Sequence, residues 1–190
     1  NPAGKRDCRG HRARDGLIER AHAQGALVYP SIGGWSLSGP YSALAANAKA
    51  RRNFAKNCVG LVREYNFDGS EFFSSRHYYD DACKLDLHSS NSLTYHHSPV
   101  DIDWEFPGYV PHGGTPDDTK NYVLLLRDVR AALDAYAAHT YPNGERVFGL
   151  TAAMPCMPSL IEIQDVASIS SILDEVNLMS YDFHGTWNDR

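Results

Sequence analysis

Residues 100–109 read VDIDWEFPGY, in which Asp101, Asp103 and Glu105 alternate with Val100, Ile102, Trp104 and Phe106 until Pro107 and Gly108 end the run. A helix would scatter these side chains around its axis, whereas a strand puts residues i, i+2 and i+4 on one face. The pattern therefore predicts a strand with three carboxylates on one side and an apolar set on the other.

Successive acids in such a row stand roughly 6 to 7 Å apart. In a sheltered site their mutual repulsion raises at least one pKa and leaves a proton shared among them. A carboxyl that stays protonated near neutral pH is a general acid. A half-exposed antiparallel strand with a solvated acidic face has the same spacing, so the segments around the strand decide between the two.

Those segments alternate between helical and strand patterns. A helix is predicted over Asp15 to Gln24, with Leu17, Ile18 and Ala21 at helical spacing and Gly25 as its stop. The run ALVYPSIGGW at 26–35 reads as a buried strand ended by Gly33 and Gly34. Over residues 42–65, Phe54, Cys58, Leu61, Val62 and Tyr65 form the stripe of an amphipathic helix. TPDD at 115–118 places Thr115 as N-cap and Pro116 at the first helical position, opening a helix with Tyr122, Leu125, Leu126, Val129, Leu133 and Tyr136 on one face. VFGLTAAMP at 147–155 reads as a strand, residues 159–175 as one helix, and VNLMSYDFHG at 176–185 as a further strand. Short apolar strands separated by helices predict an α/β fold with a parallel sheet.

With 190 residues, 43% hydrophobic and 22% charged, the chain has the composition of one globular domain. A net charge of −5 without a basic block points away from nucleic acid, and no apolar run approaches the roughly 20 residues of a membrane span. The opening NPAGKRDCRGHRARDG carries neither an initiator methionine nor an apolar signal core. Cys8, Cys58, Cys83 and Cys156 lack zinc-type spacing, and the adjacent His96 and His97 point apart in an extended chain, so no metal site is expected. No cofactor is expected either.

SIGGW at 31–35, DIDWEFP at 101–107 and LMSYDFHG at 178–185, each ending a predicted strand, together resemble the glycoside hydrolase family 18 chitinases. The family's strand motifs read approximately SxGG, DGxDxDxE and MxYD in this order, on a (β/α)8 TIM barrel. The resemblance implies that residues 1–190 are a partial catalytic domain of that family. About four of eight strand-helix units are present, the third to sixth, because a full barrel takes about 250 residues. A barrel left unclosed in this way is expected to be inactive in isolation.

The family's acidic motif begins with Asp-Gly, and here Asp68 and Gly69 stand 30 residues too early. Deleting 70–99, a Ser-, His- and Tyr-rich stretch without sustained period, restores Asp-Gly-Val-Asp-Ile-Asp-Trp-Glu. Ser70-Glu71-Phe72 can be encoded with GTGAGT, a splice-donor consensus, and Pro99-Val100 with a CAG acceptor. Excision there keeps the reading frame, so a translated intron is expected over 70–99 rather than a genuine loop. Asp68 is expected to be structural.

By resemblance, Glu105 is the general acid that protonates the leaving glycosidic oxygen and later activates water. Asp103 orients the substrate's 2-acetamido group, whose carbonyl oxygen acts as the nucleophile, and Asp101 shares a proton with Asp103. Tyr181 hydrogen-bonds the acetamido carbonyl, while Met154, Met179 and Asp182 line the same subsite. Gly34 lets substrate approach the backbone. Trp35, Trp104, Phe106, Tyr109 and Trp187 are candidate sugar-stacking aromatics.

The implied activity is retaining, substrate-assisted hydrolysis of β-1,4-linked N-acetylglucosamine polymers, with chitin or chitooligosaccharides as partners. The protein is expected to be extracellular and monomeric at full length. Two alternatives stay open: a non-catalytic chitin-binding lectin on the same barrel, which retention of Glu105 argues against, and an endo-β-N-acetylglucosaminidase acting on N-glycans.

Overall fold

The computed structural model describes residues 16–24, 26–65, 67, 97–142 and 148–186, with the side chains of 97–99 excepted. Cys8, Cys83, His96, Trp187, the Asp68–Gly69 pair and the expected insertion up to residue 96 lie outside the described residues.

Four strands, β1 (Ser31–Gly33), β2 (His97–Asp103), β3 (Phe148–Pro155) and β4 (Glu175–Met179), form one sheet in chain order. All three pairings are parallel. Parallel neighbours require a crossover between them. Helices α2 (Tyr41–Ala46) and α3 (Ala48–Tyr65) lie between β1 and β2, and α4 (Asp118–Thr140) lies between β2 and β3. The short α5 (Pro158–Ile161) and α6 (Val166–Ser170) precede β4, and α1 (Leu17–His22) precedes β1. This is the expected α/β architecture, a run of consecutive strand-helix units such as a parallel barrel is built from.

The core lies between the sheet and α2–α4. Ala55, Cys58 and Val62 from α3 meet Leu125, Leu126, Val129 and Leu133 from α4 over Val100, Ile102, Leu150 and Ala152. These helix positions repeat at three- and four-residue intervals, so burying one face of each helix covers one face of the sheet. All eight residues of β3 are buried. At the outer strand β4, Val176 and Leu178 are exposed.

Several boundaries differ from the sequence expectations. The expected helix over 42–65 divides at Asn47, whose side-chain oxygen accepts from the backbone N–H groups of Lys49 (2.9 Å) and Ala50 (3.0 Å) and so starts α3 anew. The expected helix over 159–175 divides as well. Gln164 is drawn inward, its amide donating to the Pro107 carbonyl at 2.9 Å, and Asp165 caps α6 through the Ser168 N–H at 3.0 Å.

Thr115 does not cap α4 with its hydroxyl. That hydroxyl and the Thr115 N–H instead donate to the carboxylate of Asp118, at 2.6 and 2.7 Å. The acid three residues on does the reaching back, which is one half of a capping box. The strand expected from 26 is paired only over Ser31–Gly33, and β2 starts at His97, inside the expected insertion, in register with Phe148.

Candidate active site

The acidic row is built by the pairing register. Ser31, Asp101 and Thr151 are cross-strand neighbours on β1, β2 and β3. In a parallel sheet such neighbours share a face, and both hydroxyls reach the acid: Ser31 donates to Asp101 at 2.6 Å and Thr151 at 2.6 Å. Asn177 on β4 adds a third bond at 3.0 Å. Asp101 is only 5% exposed, so these donors replace the water its carboxylate has lost.

Asp103, the next residue on that face, is held differently. Its carbonyl accepts from the Gly34 N–H at 2.7 Å, which extends the β1–β2 ladder one step beyond Gly33. Its carboxyl has no such cage: Oδ1 is buried without a hydrogen-bond partner. Burial, and then the negative charge of Asp101, push its pKa above the ordinary aspartate value. The result is a carboxyl biased toward its protonated form, with an unoccupied hydrogen-bonding atom.

Glu105 lies beyond the end of β2, so the expectation that strand pleat alone aligns all three acids is corrected. Its orientation comes from loops. The Glu105 N–H donates to the Ser38 hydroxyl at 2.8 Å, and His112 Nδ1 lies 2.9 Å from its carbonyl oxygen. The Glu105 pKa is raised, chiefly by burial and then by the charge of Asp103, with Asp182 adding slightly. A hydrogen bond from the Trp35 backbone and the proximity of His112 oppose the rise. A carboxyl with this balance holds its proton to a higher pH than a free glutamate.

Aromatic rings border the acids. Trp35 is 51% exposed, stacks on His112 at 3.9 Å with planes 9° apart, and meets Phe106 at 6.3 Å and Tyr109 at 6.5 Å. Tyr181 and Asp182 follow β4 on an exposed segment. The Tyr181 phenol is pushed up by partial desolvation and then by Asp103, Glu105 and Asp182, so it lies within electrostatic reach of the acids. Met179 ends β4 half-buried, and the buried Met154 is in register with Leu178. Gly34 takes a φ of +88° at the turn that carries Trp35.

Trp104 is corrected as a stacking candidate. It is 3% exposed and packs between Tyr41 (5.3 Å) and Tyr122 (5.5 Å) in the core, on the opposite side of the strand from the acids. The alternation of residues 100–104 already places it with Val100 and Ile102. Sequence reasoning singled out neither Ser38, Thr151, Asn177, His112 nor Asp118. Ser31, inside the SxGG pattern, and Asp118, three residues after Thr115 at capping-box spacing, carry a local signal. The others act through partners 50 or more residues away in most cases, which no local spacing reveals.

The sequence profile described as "Glycosyl hydrolases family 18" matches residues 16–83 and 89–190. Among curated proteins, "Chitinase A1" of Niallia circulans is 33% identical over 160 residues, covering 83% of this chain and 18% of that protein. "Endochitinase 1" of Metarhizium anisopliae is 33% identical over 161 residues, covering 84% of this chain and 29% of that protein. The chain thus spans less than a third of the length of these curated relatives.

Among solved structures, chitinase ChiA74 from Bacillus thuringiensis superposes with a TM-score of 0.66 at 31% identity, covering 90% of this chain and 22% of that one. A family 18 N-acetylglucosaminidase from Paenibacillus barengoltzii gives 0.67 at 28% identity, covering 96% of this chain and 44% of that one. With its sequential parallel strands, its three motifs and a profile match over most of its length, the chain belongs to glycosyl hydrolase family 18.

Proposed function

We propose that this chain forms the acid-bearing part of a chitinase that hydrolyses β-1,4-linked N-acetylglucosamine polymers with retention, the substrate's own acetamido group serving as nucleophile. The observation that carries this reading is the presence of two carboxyls with raised pKa, Asp103 as the last residue of β2 and Glu105 just beyond it, where the Trp35 backbone bonds the Glu105 side chain and the Trp35 ring is half exposed.

In this mechanism Glu105, protonated, donates its proton to the glycosidic oxygen as the bond to the anomeric carbon breaks. The acetamido carbonyl oxygen attacks that carbon from the opposite face and gives a cyclic oxazolinium ion. Asp103 meets the acetamido N–H and, as the cation forms, stabilises it with the negative charge it shares with Asp101. Glu105, now ionised, takes a proton from water, which opens the oxazolinium and restores the β-anomer. Tyr181 donates to the acetamido oxygen and holds it in line for attack. Gly34, Met154, Met179 and Asp182 line the same subsite, and Trp35 and Phe106 supply apolar surface for a sugar face. No cofactor or metal enters any step. Because the substrate is an extracellular polymer, the site of action is outside the cell.

The test is hydrolysis of chitooligosaccharides by the full-length protein, with the anomeric form of the first product read by NMR. Glu105→Gln should lower kcat by at least about a thousandfold and leave oligosaccharide binding in place. Unchanged turnover in that variant, or an α-anomeric first product, would sink the reading.

A further inference from the structure

The residue pairing that aligns Asp101 and Asp103 ends at Gly33–Asp103, and the last ladder bond runs from the Gly34 N–H to the Asp103 carbonyl, yet the acid that must reach the glycosidic oxygen comes two residues later. His112 meets its carbonyl, and its N–H is held by Ser38, in the turn after the short 3₁₀ helix Trp35–Leu37. Ser38 is 4% exposed. Its hydroxyl has one proton and two lone pairs, and both kinds of capacity are used. It donates to the Gly34 carbonyl at 2.9 Å and accepts from the Glu105 N–H at 2.8 Å.

Gly34 in turn donates from its N–H to the Asp103 carbonyl at 2.7 Å. A closed circuit therefore runs from Asp103 through Gly34 and Ser38 to Glu105, and the chain closes it through Trp104. The same turn directs the Trp35 backbone at the Glu105 side chain. A side-chain oxygen here stands where the next strand residue would have supplied a ladder acceptor. It does so past the end of the β1–β2 pairing.

We propose that Ser38 is a positioning residue for the reaction: its hydroxyl stands in for the missing ladder bond and sets the direction of the Glu105 carboxyl relative to Asp103. This rests on the assignment of Glu105 as the acid. A side chain that only stabilised the fold would affect activity in proportion to stability. A positioning residue affects kcat out of proportion to stability and leaves KM alone.

The experiment compares Ser38→Ala, Ser38→Thr and Val62→Ala in the full-length protein. Val62 is a fully buried α3 residue that belongs to neither the turn nor the acid-bearing strand, and its truncation serves as the stability control. Three readouts are taken: steady-state hydrolysis of a chitooligosaccharide, thermal midpoint, and hydrogen exchange of the segment holding the Glu105 amide. Ser38→Ala is expected to lower kcat about tenfold or more, equivalent to about 1.4 kcal/mol of barrier, with KM within about twofold. Ser38→Thr, which keeps the hydroxyl, is expected to recover most of the loss.

Exchange at Glu105 should speed up in Ser38→Ala and not in Val62→Ala. An equal kcat loss in Val62→Ala, or no recovery by Ser38→Thr when it folds normally, overturns the proposal. If the wild type hydrolyses no chitooligosaccharide, the functional reading fails by itself. The exchange comparison then decides for Ser38, since unaltered Glu105 exchange in Ser38→Ala overturns the positioning role without reference to turnover.

Discussion

The main-chain carbonyl oxygen of Asp103 stands 1.9 Å from where a β-carbon on Gly33 would be. Gly33 also holds a φ of +128°, a backbone conformation that side-chain-bearing residues rarely adopt. The two glycines of the SxGG motif thus serve the acids directly: one permits the close approach of β1 to β2, and the next donates to Asp103 from its N–H. Gly33→Ala should cost about 3 kcal/mol or more, through both clash and strain. Denaturant titration measures it, and a loss under about 1 kcal/mol would mean that β1 and β2 separate at little cost.

The reach of the sequence ended where partners became distant. Alternation over 100–104 is enough to send Trp104 to the core and Asp101 and Asp103 to the other face, because a strand leaves no other choice. The stripe on α4 was equally legible: Tyr122, Leu125, Leu126, Val129 and Leu133 are all buried. Glu105 was readable as an acid but not as a residue oriented by loops, since Ser38 and His112 belong to segments whose local patterns say only turn. The divisions at Asn47 and Gln164–Asp165 escaped for a related reason. Side chains of that kind compete for backbone groups wherever tertiary contacts draw them in.

Asp101 should tune Asp103 through space. The charge of Asp101 is the second cause of the raised Asp103 pKa, after burial. Asp101→Asn removes the charge and keeps one oxygen, which can still accept from Thr151 and Asn177, while its amide nitrogen replaces the oxygen that faced Ser31 and can donate to that hydroxyl instead, so the Asp103 carboxyl should titrate lower than in the wild type. It should still titrate above the ordinary aspartate value of 3.8, because the larger cause remains. Carbon-13 NMR of the aspartate carboxyls reads this directly. An Asp103 midpoint that stays put or rises in the variant would contradict the coupling.

Asp118 ties the loop that follows the acids to the helix layer. Fully buried, it accepts from Ser42 (2.8 Å), from Thr115 N–H (2.7 Å) and hydroxyl (2.6 Å), and from the Gly108 N–H at 3.3 Å. Asp118→Ala removes the acceptor that these partly buried hydrogen bonds share. The expected loss is about 3 kcal/mol, with faster proteolysis across residues 105–118 than elsewhere. Stability unchanged within about 0.5 kcal/mol would show that water enters and replaces the carboxylate.

Asp103 should weigh against the fold near neutral pH. Its folded-state pKa lies above the unfolded value of 3.8, so the folded protein binds the proton more tightly than the unfolded chain does. By linkage, the stabilisation from that proton is fully present below pH 3.8 and is lost as pH rises through the folded pKa. Beyond it, an ionised carboxylate sits partly desolvated beside the Asp101 charge. Asp103→Asn carries no charge at any pH, so its thermal midpoint should exceed that of the wild type near pH 7 and the difference should shrink toward zero near pH 3. If Asp103 orients the acetamido group, the stabilised variant also loses most of its turnover. A midpoint difference that does not vary with pH would locate the effect in packing rather than charge, and a lower midpoint at pH 7 would reverse the sign of the argument.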